Sequence, residues 1–104
     1  MNMTYSSALV LQALAVGHHY GLEIIEATGV SSGTVYPILR RLEREGLAGA
    51  QWESEEIARR EQRPTRRYYE ITAAGEARLA EAVRRYRVLE GAVRTPTRLR
   101  PKEV

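Results

Sequence analysis

The stretch SSGTVYPILRRLEREGL, residues 31–47, holds the side chains best suited to chemistry. On a helical wheel at about 100° per residue, Val35, Ile38, Leu39 and Leu42 fall together on one side. Gly33, Pro37, Arg40 and Arg44 fall on the other, with Tyr36 at one edge and Thr34 and Arg41 at the opposite edge. The outer face therefore starts with slim and hydroxyl-bearing residues and ends with arginines. A helix entering the major groove of DNA needs this order: a narrow leading end that reaches base edges, then guanidinium groups for phosphates or for guanine O6 and N7. Ser31 and Ser32 are cap residues, and the free N–H groups and positive dipole end at Ser32 to Val35 favour a phosphate. The candidate DNA-contacting residues on this helix are Ser31, Ser32, Gly33, Thr34, Tyr36, Pro37, Arg40, Arg41 and Arg44.

Pro37 is the anomaly. An interior proline costs about 3 kcal/mol, through a lost hydrogen bond and a clash with the carbonyl four residues back. That carbonyl belongs to Gly33, where the backbone has most freedom to adjust. Pro37 sits on the outer face and disturbs no core position. With Ser32 as cap it is the fifth helical residue. A slight bend there is expected, angling Thr34 and Tyr36 toward the groove.

A second cluster lies at residues 59–67, RREQRPTRR, with five Arg against one Glu. A flexible Arg-rich hairpin tip can follow a phosphate backbone or enter a narrow minor groove, and Arg63 and Arg66 are the candidates there. A merely solvated loop is the plain alternative.

Composition removes other chemistries. The 104-residue chain carries a net charge of +3, and its acids are all Glu and its bases, but for one Lys, all Arg. It has no Asp and no Cys, hence no disulfide framework, thiolate zinc site or cysteine nucleophile. No glycine-rich phosphate loop is present. His18 and His19 are adjacent, so on a helix they would diverge by about 100°, and they read as an interhelical turn rather than a metal or catalytic site. Glu55 and Glu56 lie in a candidate loop and pair with nothing visible. An enzyme is the poorest reading, and no cofactor or metal is expected. The longest apolar run, ALVLQALAV, is too short to span a bilayer, and no basic segment precedes it as in a signal peptide. The chain reads as a cytoplasmic protein.

The elements that must position these residues follow from periodicity. A first helix runs from Ser6 or Ser7 to Val16 and is apolar on nearly every face. It is either the central core helix or also touches a second subunit. A second helix covers Tyr20 to Ala27, and the third covers Ser32 to Glu45 after a turn bounded by Gly29 and Gly33. A short helix, a tight turn and a second helix outline a helix-turn-helix. AGAQWESEE (48–56) and RRYYEI (66–71) are candidate strands of a long hairpin, which must pack on the helices through Trp52, Tyr69 or Ile71. Trp52 is expected to be its packing anchor. The last helix starts at the cap Thr72. Leu79, Val83, Tyr86, Leu89 and Val93 form its stripe, over roughly twenty residues by the spacing. That length exceeds what the small body can cover, so pairing between subunits is expected, with Leu9 of the first helix beside it. The fold class is mainly α with a small β-hairpin. Residues 1–71 form the DNA-binding unit, 72–94 a dimerisation helix and 95–104 a flexible tail.

YGLEIIEATG, then SSGTVYPILRRLEREGL, then RRYYEITAAGEARL resemble the PadR family of bacterial transcriptional regulators. The residues that carry the resemblance are Gly21; Ser31, Gly33, Thr34, Tyr36 and Pro37; Leu39, Arg41, Leu42 and Glu43; and Tyr68, Tyr69, Thr72 and Gly75. It extends from residue 8 to about residue 90. Helix 2 and the following turn look shorter than in many members, and Ile71 stands where leucine is commoner. The single C-terminal helix is similar to the shorter branch of the family, without a large effector domain. The resemblance implies a winged helix-turn-helix, a homodimer joined through the C-terminal helix, and repression from a palindromic operator. It places Ser31, Gly33, Thr34, Tyr36 and Arg40 at DNA-contacting positions.

Two functions compete. One is a homodimeric repressor of an inverted-repeat operator in double-stranded DNA; the other is a winged-helix module that binds protein. By family resemblance a small aromatic effector is open, with Trp52, Tyr5, Tyr86 and the first helix as its candidate lining.

Overall fold

Thr4 opens the folded chain: its hydroxyl accepts the Ser7 amide and caps α1 (Tyr5–Ala15). The structure is a computed structural model that describes residues 3–86, 91–94 and 96. α1 is the central helix, packed against α2 (Gly21–Thr28), α3 (Ser32–Arg44), the strand β2 (Arg67–Ile71) and α5 (Ala73–Arg85). Ala8, Val10, Leu11 and Ala13 are fully buried within the chain itself. The protein's own core thus accounts for a helix that is apolar on nearly every side.

α2 ends at Gly29, in the left-handed conformation (φ 76°). The N-cap of α3 is Ser31, one residue before the expected Ser32. Pro37 is therefore the sixth helical residue, and its missing N–H leaves the Gly33 carbonyl without the usual i→i−4 donor. Val35, Ile38, Leu39 and Leu42 are buried, as the wheel predicts. Gly46 (φ 76°) closes α3: its amide reaches Glu43 O at 3.1 Å and the Leu47 amide reaches Leu42 O at 2.9 Å. This is a Schellman pair, with Leu42 and Leu47 both buried across it.

β1 (Ala48–Trp52) pairs antiparallel with β2, in the register Ala48 with Ile71 through Trp52 with Arg67. The strand stops at Trp52 rather than continuing to Glu56. The hairpin connection also differs from the polar loop expected: it contains a short helix, α4 (Glu55–Arg60). Ser54 caps it, Glu55 and Glu56 occupy its first turn, and Arg59 and Arg60 its last. This charge order suits the helix dipole, so Glu55 and Glu56 have a structural place.

Trp52 is not the anchor of the hairpin; it is 63% exposed. Tyr69, at 6%, fills that role. The Tyr69 amide donates to His19 O at 2.7 Å and His19 Nδ1 donates to Tyr69 O at 3.0 Å, so the α1–α2 turn adds a rung to the free edge of β2.

α5 begins at the Thr72 cap, which accepts from the Gly75 amide at 3.0 Å. A Cβ at Gly75 would overlap the Leu47 carbonyl, so glycine lets the helix start against the end of α3. α5 is shorter than the spacing predicts: it ends at Arg85, and Tyr86 leaves helical backbone (φ −116°, ψ 87°). The chain then returns to its own body. Val93 is buried in the core, Arg94 Nη2 donates to Glu26 O at 3.1 Å, and His18 Nε2 donates to Arg94 O at 2.6 Å. Leu9 and Leu79 are likewise buried in the single chain, leaving Val83 and Tyr86 half-exposed along the stripe. The stripe's apolar residues serve the monomer core first, because α1 needs a cover on this side. Leu89 and the tail from 95, apart from Pro96, lie outside the described residues.

Candidate nucleic-acid interface

The helix-turn-helix pair presents one continuous outer face. Ser31, Ser32, Gly33, Thr34, Tyr36, Pro37, Arg40 and Arg44 are all exposed, and Arg41 is half-buried. At the leading end the Ser31 hydroxyl donates to Thr34 Oγ1 at 3.3 Å rather than capping a backbone amide. A Cβ placed at Gly33 would meet nothing within 4 Å. The protein itself therefore has no need of glycine there, while a groove-facing surface gains from its slimness.

Tyr36 is held from below. Its ring lies directly over Gly21, where any Cβ would overlap it. The buried glycine at the start of α2 thus seats the aromatic side chain of α3, 40% exposed, at the junction of the two helices. The sequence marks Gly21 as a motif residue but gives no hint of this contact, which joins two different helices.

The wing arginines divide by partner. Both terminal nitrogens of Arg63 bind Glu53, at 2.7 and 2.9 Å. That carboxylate, its side chain only 4% exposed, also accepts the Arg66 amide at 3.1 Å and the Tyr68 hydroxyl at 3.4 Å. The Arg63 hydrogen bonds hold the Glu53 carboxyl down from 4.5 to about 2 against the opposing effect of burial, and Glu53 in turn raises Arg63 above its ordinary value. Arg63 thus fastens the two ends of the α4 insertion, a task its place in an Arg-rich run does not reveal. Arg67 Nη2 donates to Glu43 Oε2 of α3 at 2.8 Å. Arg66 lies 4.0 Å over the Tyr20 ring. Among the described residues Arg40, Arg41, Arg44 and Arg66 make no ion pair.

Between α3 and the wing runs a groove of about 680 Å³, lined by Tyr20, Gly21, Leu22, Tyr36, Arg40, Glu43, Trp52 and residues 63–67 together with Tyr69. Trp52 faces this groove and is not gathered with Tyr5 and Tyr86. Those two rings meet edge to face at 5.2 Å, and neither lines the groove. Among the described residues Trp52 therefore does not share this groove with Tyr5 and Tyr86, the lining left open for an aromatic effector.

Among the described residues no group of three His, Cys, Asp or Glu side chains is placed to hold a metal, and no helix is long and apolar enough to cross a membrane. His18 and His19 serve the hydrogen bonds already described.

The geometry agrees with known proteins. No curated protein matches the chain by sequence. Among solved structures, a PadR-like transcription factor from Bacteroides fragilis superposes with a TM-score of 0.65 at 29% identity, over 83% of this chain and 84% of that one. A PadR family transcription regulator from Clostridium difficile gives 0.68 at 24% identity, over 85% and 93%. Bordetella bronchiseptica BpsR, whose DNA binding is regulated by 6-hydroxynicotinic acid, gives 0.65 at 23%, over 96% and 70%. Residues 10–81 match the transcriptional regulator PadR-like family, a family of regulators and not of enzymes, for which DNA is the implied partner. With a matched span that takes in the helix-turn-helix, the wing and most of α5, the chain belongs to the PadR-like family of transcriptional regulators.

Proposed function

We propose that the protein is a homodimeric repressor that binds an inverted-repeat operator through α3 and the wing. One observation carries this reading: the outer face of α3 ends in Arg40, Arg41 and Arg44, none of them ion-paired among the described residues, beyond a leading end of Ser31, Ser32, Gly33 and Thr34 without bulk. Cations left without acidic partners on one face are the electrostatic footprint of a phosphate surface. Two recognition helices would sit roughly 34 Å apart, one DNA turn. Val83 and Tyr86 are the stripe residues still available to a second copy, and a regulator of this kind acts where the DNA is, in the cytoplasm.

The test is fluorescence anisotropy on the protein's own upstream DNA against random duplex of equal length at physiological salt. Specific binding should be tighter by on the order of 10³-fold and should weaken steeply with salt as counterions leave. Equal affinity for both duplexes sinks the reading. The rival, a protein-binding winged helix, is separated by Arg40→Ala with Arg41→Ala, which abolishes DNA binding only if α3 is the reading head. Release by a small aromatic effector is part of the proposal, supported by the structural neighbour that responds to 6-hydroxynicotinic acid. Adding planar aromatics to the preformed complex tests it, and a complex unmoved by the whole panel removes it.

A further inference from the structure

Three of the five exposed large hydrophobic side chains, Leu22, Tyr36 and Trp52, line the groove between α3 and the wing. Scattered exposed apolar residues need no explanation, but three gathered in one concavity point to something that covers them. Its volume of about 680 Å³ is that of a small-molecule site. Two of the three side chains are aromatic. Arg67 lies over one face of the Trp52 ring, 5.1 Å from its centre, and Trp52 is 63% exposed, so the indole keeps its other face for a second ring.

The charge along the groove is positive and only partly matched. Glu43 binds Arg67, and Glu53 binds Arg63. Arg40 and Arg66 also line the groove and make no ion pair among the described residues. Tyr20 lies 4.0 Å beneath the Arg66 guanidinium. That stacking takes up the plane of the group and leaves its N–H edge for an anion. Aromatic walls beside unmatched guanidinium groups select a flat ring that carries a negative charge. Resting on the proposed DNA reading, we infer that this groove is the effector site, that the effector is an arene carboxylate, and that it acts by direct competition with DNA. Its ring packs on Trp52 and Tyr36, and its carboxylate takes the N–H edge of Arg66, with Arg40 as the second cation. Tyr36 and Arg40 also belong to the proposed DNA-reading face, so ligand and duplex need the same side chains and exclude each other. The Tyr5–Tyr86 pair is no part of this site.

The site is tested first without DNA. Trp52 is the chain's only tryptophan, so its indole N–H gives one side-chain resonance in nitrogen-labelled protein. Naphthoate should shift that resonance to saturation. By calorimetry naphthamide, with the ring but not the charge, should bind about tenfold more weakly. Decalincarboxylate, with the charge but no aromatic ring, should bind several-fold more weakly. Trp52→Ala and Arg66→Gln should each cost about tenfold in naphthoate affinity, and Trp52→Phe should recover most of the first loss. Trp52 is exposed, so melting should be unchanged in Trp52→Ala, and folding does not confound the result. DNA then tests competition: the apparent Kd for duplex should rise in proportion to naphthoate without limit, whereas an effector bound elsewhere has a finite coupling and its effect levels off. If the Trp52 resonance does not move, or if naphthamide and decalincarboxylate bind as well as naphthoate, the inference is wrong and the DNA reading survives. If naphthoate releases duplex but its effect levels off, or is lost in Tyr5→Ala and kept in Trp52→Ala, the effector acts from another site and the inference is again wrong. If no duplex binds wild type at all, the DNA reading fails and direct competition fails with it.

Discussion

Arg67 of the wing donates to Glu43 of α3 at 2.8 Å, and this ion pair ties the wing to the second helix of the helix-turn-helix. The same guanidinium lies 5.1 Å from the Trp52 ring centre, so one side chain links α3, β2 and the end of β1. Both partners are partly exposed, at 28% and 36%, and exposed pairs couple by only about 0.2–1 kcal/mol. A double-mutant cycle of Glu43→Gln and Arg67→Gln in urea should return a coupling in that range. Its larger effect should be on DNA: Glu43→Gln removes a negative charge and frees Arg67, so affinity for random duplex should rise. A fall in that affinity would mean that the pair is needed to orient the wing.

The two glycines at the helix-turn-helix make opposite predictions. At Gly21 an added methyl overlaps the Tyr36 ring, and Gly21→Ala should destabilise by about 1–3 kcal/mol, as overpacking does, and also weaken DNA binding by displacing Tyr36. At Gly33 the space is open. Gly33→Ala should be neutral or stabilise the helix by up to about 1 kcal/mol, yet it should weaken operator binding by thickening the leading end. Chemical denaturation and anisotropy on the same two variants separate packing from recognition. A Gly33→Ala protein that binds operator as wild type does would remove Gly33 from the interface.

Pro37 lies on the exposed side of α3 and removes the donor to Gly33 O. Pro37→Ala should restore that hydrogen bond and stabilise the fold by up to about 3 kcal/mol, while specific DNA binding weakens. Improved stability with unchanged operator affinity would leave the proline without a role in recognition.

The α3 face was legible in the sequence because a helical surface is periodic: the spacing of Val35, Ile38, Leu39 and Leu42 alone tells which side is buried. What escaped the sequence depends on contacts between elements that are distant along the chain. Nothing local says that Gly21 seats Tyr36 or that Arg67 meets Glu43. Arg63 looked like one more DNA-facing cation, because its partner Glu53 is one of thirteen glutamates and stands ten residues away. Helix signals in the wing (Ser54, then paired Glu, then paired Arg) were outweighed by the run of arginines and Pro64. The apolar spacing runs past the end of α5 because Val93 keeps that spacing while packing into the chain's own core, after Tyr86 has left the helix.

Gln62 adopts φ 56°, the left-handed region, just after α4. Its amide bonds to Arg59 O at 3.1 Å and the Arg63 amide bonds to Ala58 O at 3.1 Å, the pattern that usually takes glycine. The left-handed conformation costs an L-residue about 1–2 kcal/mol, and glycine gives back about 0.5–1 kcal/mol through its freer unfolded chain. Gln62→Gly should therefore raise stability by about 0.5–1 kcal/mol in urea denaturation, with DNA affinity unchanged. A loss of stability would mean that the Gln62 side chain contributes more than its backbone costs.

Glu53 gives the wing a defined acid sensitivity. Its carboxyl is held at about 2, down from 4.5, chiefly by hydrogen bonds from Arg63. Between those two values the unfolded chain takes up a proton that the folded chain refuses. The stabilisation is thus complete above pH 4.5 and is lost as pH falls through about 2. Glu53→Gln cannot titrate and leaves Arg63 without its carboxylate. Circular-dichroism melts should show the variant less stable than wild type at pH 6. The gap should narrow steadily as pH falls below 4.5, because wild type loses a term that the variant never had. A gap between the two proteins that stays constant from pH 6 to pH 3 would show that the clasp does not hold the Glu53 carboxyl below its ordinary value.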